Sequence, residues 1–200
     1  MQNLPIIRQA ISGQVSKNQY IAFLTEAYHH VKHTVPLLMA CGAKLPSEKE
    51  WLRESIAHYI EEELGHQEWI LNDIKVCGGN AEAVRFGKPK LETELMIAYA
   101  YDTISRINPV GFFGMVHVLE GTSIQLAMHA ANSLEVSLKL PKTAFTYLTS
   151  HGALDMEHVE FFSDLVNRLE NEEDKASIVH CSKVVYRLYG NIFRGLESVQ

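Results

Sequence analysis

Residues 151–162 read HGALDMEHVEFF, and the first eight of them hold two histidines, an aspartate and a glutamate. His151, Asp155 and His158 are spaced i, i+4, i+7. At about 100° per residue they fall within roughly 60° of one another on a helical wheel, so a helix here presents His, Asp and His on one face. Leu154, Phe162 and Leu165 border that face and make it a half-buried or buried one. Burying such groups without partners costs several kcal/mol. Two readings meet that cost: a hydrogen-bonded His–Asp pair in a polar seam, or three ligands aimed at a metal.

Two further clusters lie upstream. In HYIEEELGHQEW, residues 58–69, Glu62 and Glu63 stand four and three residues before His66. Either pair can face one ion from a helix, and Glu-x-x-His is the chelating unit of di-iron carboxylate bundles. The alternative is a solvated acidic face. In MVHVLEGTS, residues 115–123, Glu120 follows the apolar run VGFFGMVHVL, and His117 stands three residues earlier. Buried glutamates are rare unless paired or coordinating. Taken together, the clusters assemble three carboxylates (Glu62 or Glu63, Glu120 and Asp155) and three histidines (His66, His151, His158). Hard oxygen and imidazole donors without thiolates suit iron or manganese and disfavour structural zinc.

The rest of the chain reads as helix. Residues 18–43 place Ile21, Leu24, Tyr28, Val31 and Val35 at three- and four-residue intervals. That helix is expected to start at an Asn18 cap, kink at Pro36 and end at Gly42. Ser47 and Glu50 predict a capping box opening a helix that Gly78-Gly79 closes. Residues 81–90 read as irregular. Helices follow over about 92–107, stopped by Asn108-Pro109, and over about 110–138, a stretch carrying three glycines that either weaken it or admit another backbone. Two more run from about Lys142 to Glu170 and from the ENEEDK turn to near Ser198. No alternating strand pattern interrupts them. The expectation is an all-α, single-domain bundle of about seven helices spanning residues 1–200.

Bulk properties bound the function. The sequence has 200 residues, is 46% hydrophobic and 21% charged, and carries a net charge of −6. Such a chain buries a core without disulfides, and it offers no basic stripe for nucleic acid. Three scattered cysteines, Cys41, Cys77 and Cys181, fit a reducing compartment. Apolar runs fall short of the roughly 20 residues that span a bilayer, and the first fifteen residues lack a signal-peptide core. A cytoplasmic protein without membrane or nucleic-acid partners is expected.

EELGHQEWILNDIKVCGG, GMVHVLEGTS and HGALDMEHVEFF, in that order and separation, resemble the heme-oxygenase-like fold. The likeness is to its non-heme branch of di-iron oxidases and oxygenases, a superfamily shared with TenA-type thiaminases and the oxidase of pyrroloquinoline quinone synthesis. It covers roughly residues 20–195. It implies iron ligation by His151, Asp155 and His158, by Glu120 on the preceding core helix, and by His66. It also implies a carboxylate on the helix of His66. In some members this stands seven residues before the histidine, where this chain has Tyr59, and in others three before, which selects Glu63. The implied activity is O2-dependent oxidation of a small organic substrate, with two iron ions, or manganese, as cofactor.

Glu63 and Tyr59 are the candidate catalytic residues, and Tyr59, Phe112, Phe113 and Phe162 the candidate pocket wall. Within the fold, the alternatives are a heme oxygenase with His29 or His30 as proximal ligand, a TenA-like protein, and a non-catalytic scaffold. Glu26 stands four residues before His30, as an exposed pair, a further ligand or a substrate contact. A homodimer is expected because it is the commonest oligomer.

Overall fold

The computed structural model describes residues 1, 3–123 and 126–199, and for residues 123 and 151–161 it describes the backbone alone. The described residues form helices: α1 Pro5–Ile11, α2 Lys17–Val31, α3 Thr34–Lys44, α4 Glu50–Glu63, α5 His66–Val76, α6 Ala81–Arg85, α7 Leu91–Asp102, α8 Phe113–Ser123, α9 Ala127–Leu138, α10 Thr146–Asn167 and α11 Glu172–Leu196. Short 3-10 or π turns precede α4, α8 and α10 and follow α7. The all-α architecture is as expected, but the long segments are cut more often than periodicity suggests.

Each cut has a local cause. The segment expected to start at Asn18 starts at Ser16, whose hydroxyl accepts from Gln19 N at 3.1 Å while Gln19 Oε1 accepts from Ser16 N at 2.9 Å. That reciprocal cap satisfies two helix-end donors. The bundle's second long segment has no capping box at Ser47; residues Ser47–Lys49 form a 3-10 turn after Pro46. It then breaks at Gly65, whose φ of 91° only glycine adopts without strain. Residues 81–85, expected to be irregular, form α6 behind an Asn80 cap that accepts from Ala83 N at 3.0 Å.

The core divides into two apolar clusters. One gathers α3, α4, α7 and α8 around Leu37, Leu52, Met96 and Phe112. The other gathers α1, α2, α5 and α9 around Ile6, Leu24, Ile70 and Leu134. The amphipathic α11 packs on both sides, giving Cys181 and Val185 to the first and Phe193 and Leu196 to the second. Glycine settles how closely it approaches α8. A Cβ at Gly114 would meet Ile178 O, Ser182 N at 2.7 Å and Cys181 Cβ at 2.8 Å, so the two backbones touch there. Gly111 is likewise pressed against Ser177. Gly111 and Gly114 thus admit a neighbouring helix, whereas Gly121 faces no other helix.

Buried polar groups fasten the helix ends. Asp174, in the first turn of α11, takes Lys49 Nζ at 2.7 Å and Asn108 Nδ2 at 2.9 Å. Glu26 is buried, contrary to the exposed pair expected, and its carboxylate is occupied from outside its own helix. It accepts from Lys90 N at 3.1 Å and Thr93 Oγ1 at 2.5 Å, capping α7. Among the described residues, no helix is long and apolar enough to cross a membrane.

Candidate metal centre and its cavity

The site starts from the break at Gly65. Glu63 is the last residue of α4 and His66 the first of α5, so the pair spans two helices rather than lying on one. The turn nevertheless brings His66 Nδ1 to 3.2 Å from Glu63 Oε2, with both side chains at most 5% exposed. An oxygen and a nitrogen at that separation are close to the edge of a coordination polyhedron with metal–donor bonds of about 2.1 Å. The His66 ring stacks on Trp69, centroids 4.0 Å apart and planes at 26°, which sets its orientation. The neighbouring glutamate is settled by the same geometry: Glu62 points outward to exposed His58, 3.4 Å away.

Glu120 lies near the C-terminal end of α8 and is 8% exposed, as its apolar approach sequence requires. His117 does not share its face; it is exposed and stacks on Phe162 at 5.2 Å. α10, which carries His151, Asp155 and His158, packs against both α8 and α5, the helices of Glu120 and His66. Those three side chains lie outside the described residues, and so does their convergence with the other three. Among the described residues alone, no three metal-ligating side chains gather at one point.

Glu63 and Glu120 face a shared space. A cavity of about 160 Å³ is lined by both, by Tyr59 one turn before Glu63, and by His30, Thr34 and Phe112. Phe113 and Phe162, expected in its wall, instead pack against each other in the first core cluster. Among the described residues that line the cavity there is no lysine, arginine or aspartate. Two buried carboxylates beside an imidazole are hard oxygen and nitrogen donors of the kind that ligate iron. The donor set therefore fits iron on its chemistry.

The competing chemistries fit less well. A thiaminase-type nucleophile requires an activated thiol. Cys41, Cys77 and Cys181 are all buried and none lines the cavity. Burial pushes their thiols up, to about 12 for Cys41 and about 11 for the other two. Heme would have to share its space with Glu63 and Glu120. Of its two candidate ligands, His29 is fully buried and lies beside Lys32 Nζ at 3.2 Å, outside the cavity wall. His30 reaches the cavity but meets Tyr189 edge-on at 5.9 Å.

Sequence reasoning missed two parts of this site. One is α1, whose Ile6, Ile7 and Ala10 form a wall of the cavity; Pro5 at the start of an apolar stretch was its signal. The other is Asp73, fully buried on α5, which accepts from Tyr147 N at 2.8 Å and so caps α10 from another helix. No local pattern reveals a cap supplied from 74 residues away.

The sequence pattern of a family described as "iron-containing redox enzyme" matches residues 21–190. Among solved structures, a domain of unknown function with a heme oxygenase-like fold from Shewanella denitrificans superposes with a TM-score of 0.86 at 26% identity, over 98% of this chain and 84% of that one. A TenA homologue from Pseudomonas syringae pv. tomato gives 0.79 at 14% identity, over 98% and 86%. A CADD-like protein of unknown function from Nostoc punctiforme gives 0.75 at 17%, over 98% and 88%. Comparison with curated protein sequences finds no significant match. The last two likenesses concern the fold alone.

Proposed function

The chain belongs to the family of iron-containing redox enzymes, and from that premise we propose that it is an O2-using oxidase or oxygenase for a small organic substrate held in the cavity. The observation that carries the reading is the burial of Glu63 and Glu120 in one apolar cavity wall, with His66 at Glu63's side. Glu63, His66 and Glu120 would hold iron together with His151, Asp155 and His158, with room for two ions in a set of six donors. Bound iron supplies the electrons and open coordination positions for O2 activation.

The chain's own residues do the rest. Trp69 holds the His66 ring in place, and the Gly65 turn keeps its nitrogen beside Glu63. The apolar lining keeps water from the reacting atoms and strengthens every electrostatic interaction inside. Tyr59 brings a phenol to the cavity one turn from Glu63, where it can hold or move a proton at the substrate.

The test is anaerobic loading with ferrous iron followed by exposure to O2. The reading expects about two iron ions per chain, O2 consumption and a transient visible absorption. No iron uptake, with stability unchanged by His151→Ala, would leave a helical scaffold instead. A Soret band on hemin titration, abolished by His30→Ala, would move the protein to heme chemistry.

A further inference from the structure

α10 begins without a cap of its own. Phe145 precedes its first residue and has no side-chain acceptor, and no acidic residue stands in its first turn. A helix start leaves N–H groups in need of an acceptor, and burial makes an unmet one costly. Here the acceptor comes from another helix: Asp73, fully buried on α5, takes Tyr147 N at 2.8 Å. Tyr20 of α2 holds the chain just ahead of the helix. Its hydroxyl donates to Ala144 O at 2.9 Å, and its ring stacks on Phe145 with centroids 5.2 Å apart.

Spacing ties this clamp to the candidate metal centre from both sides. His66 stands two turns before Asp73 on α5, so the two share one helix face, and they are 2% and 0% exposed. On α10, His151 and His158 follow Tyr147 at positions that a helix returns to within about 40° of it. Asp73 thus joins the helix of His66 to the helix of His151, Asp155 and His158 at one backbone atom.

Apolar packing of α5 on α10 does not fix that relation by itself, because it is non-directional. A helix that slips by one residue moves about 1.5 Å and turns about 100°, which would carry every α10 ligand away from those on α5 and α8. A hydrogen bond from one particular N–H to a buried carboxylate opposes the slip.

We infer that Asp73 is the positioning residue of the metal centre: by taking Tyr147 N it sets the register and rotation of α10 on α5, and so where the α10 ligands stand relative to His66. The inference rests on the reading of that centre as an iron site. Asp73 does not line the cavity, so it acts through α10 rather than on substrate.

The test compares Asp73→Ala, which removes the acceptor, with Asp73→Asn, which keeps one, in the full-length protein. Without metal, hydrogen exchange at the Tyr147 amide should quicken about tenfold in the alanine variant and keep the parental rate in the asparagine variant. Ferrous iron is then titrated anaerobically under conditions where urea melts show each variant folded, so that lost stability alone leaves affinity unchanged. Iron should bind the alanine variant at least about tenfold more weakly and the asparagine variant as tightly as the parent. If the alanine variant does not fold, Asp73→Glu takes its place; it keeps the charge, displaces the acceptor by one methylene, and should also lose about tenfold. A folded variant of either kind with parental iron affinity overturns the inference, as does an asparagine variant that binds as weakly as they do. A parent that takes up no iron is a separate failure, which removes the oxidase reading and, with it, this role for Asp73.

Discussion

Glu62 and Glu63 are neighbours with opposite fates, and the difference is a rotation of one residue. Glu63 turns into the cavity wall at 5% exposure, whereas Glu62 pairs with His58 at the surface. Periodicity left the choice open because three consecutive glutamates cover most of a helical turn. Glu63→Ala is therefore expected to weaken iron binding by more than about tenfold, and Glu62→Ala to leave it unchanged, both read by metal titration. Tyr59 is placed to handle a proton rather than to hold iron. Tyr59→Phe should lower turnover by about 10²-fold with iron content intact; equal loss of both would make it a ligand instead. Glu120 was legible from its apolar approach, because few other roles account for a carboxylate at the end of such a run. Glu26 misled because its partners, Lys90 N and Thr93, come from α7, beyond the reach of any local pattern.

Helices were legible as helices, and their joints were not. Apolar spacing marked the segments, yet nothing periodic announces that Gly65 adopts a left-handed φ and divides α4 from α5. A Cβ at Gly65 would meet nothing within 4 Å, so Gly65→Ala tests the backbone alone. It should cost about 1–2 kcal/mol in denaturant unfolding and loosen iron by separating Glu63 from His66. Gly114→Ala is the opposite case, a steric one. Pushing α8 from α11 is expected to cost about 1–3 kcal/mol and to shift Glu120.

The cap on α10 adds a pH dependence. Burial pushes the Asp73 carboxyl up to about 6, against the lowering effect of its hydrogen bonds from Tyr147 and Thr146. The folded state thus binds this proton more tightly than the unfolded chain, whose carboxyl titrates near 3.9. Its contribution to stability is full below about 4 and declines as pH rises through about 6. His29 has the opposite sign: burial, then Lys32 and His33, lower it to about 4, so its contribution declines as pH falls toward that value. Asp73→Asn keeps an acceptor for Tyr147 N and removes the titration. Stability of the parent minus that of the variant, from urea melts at stepped pH, should grow as pH falls from 6 to 4.

At the scale of the molecule, two hydrophobic clusters share one cavity, and the polar groups that fasten helix ends keep that cavity's shape. The family resemblance carried by three short segments foretold the fold. The division of the core and the cavity that both clusters line needed the packed structure, since both depend on which helices meet. The surface adds an expectation about assembly. Leu91 and Leu95 lie one turn apart on α7 and are 62% and 47% exposed. We expect a homodimer that covers them, and light scattering of Leu91→Glu/Leu95→Glu should find a monomer where the parent is a dimer.

Iron is the centre of the account, and anomalous diffraction at the iron edge from crystals loaded anaerobically with ferrous iron locates it directly. The account predicts peaks at the Glu63–His66 pair and Glu120, completed by His151, Asp155 and His158. Iron bound elsewhere, or crystals that take up none while those six side chains point apart, would contradict it.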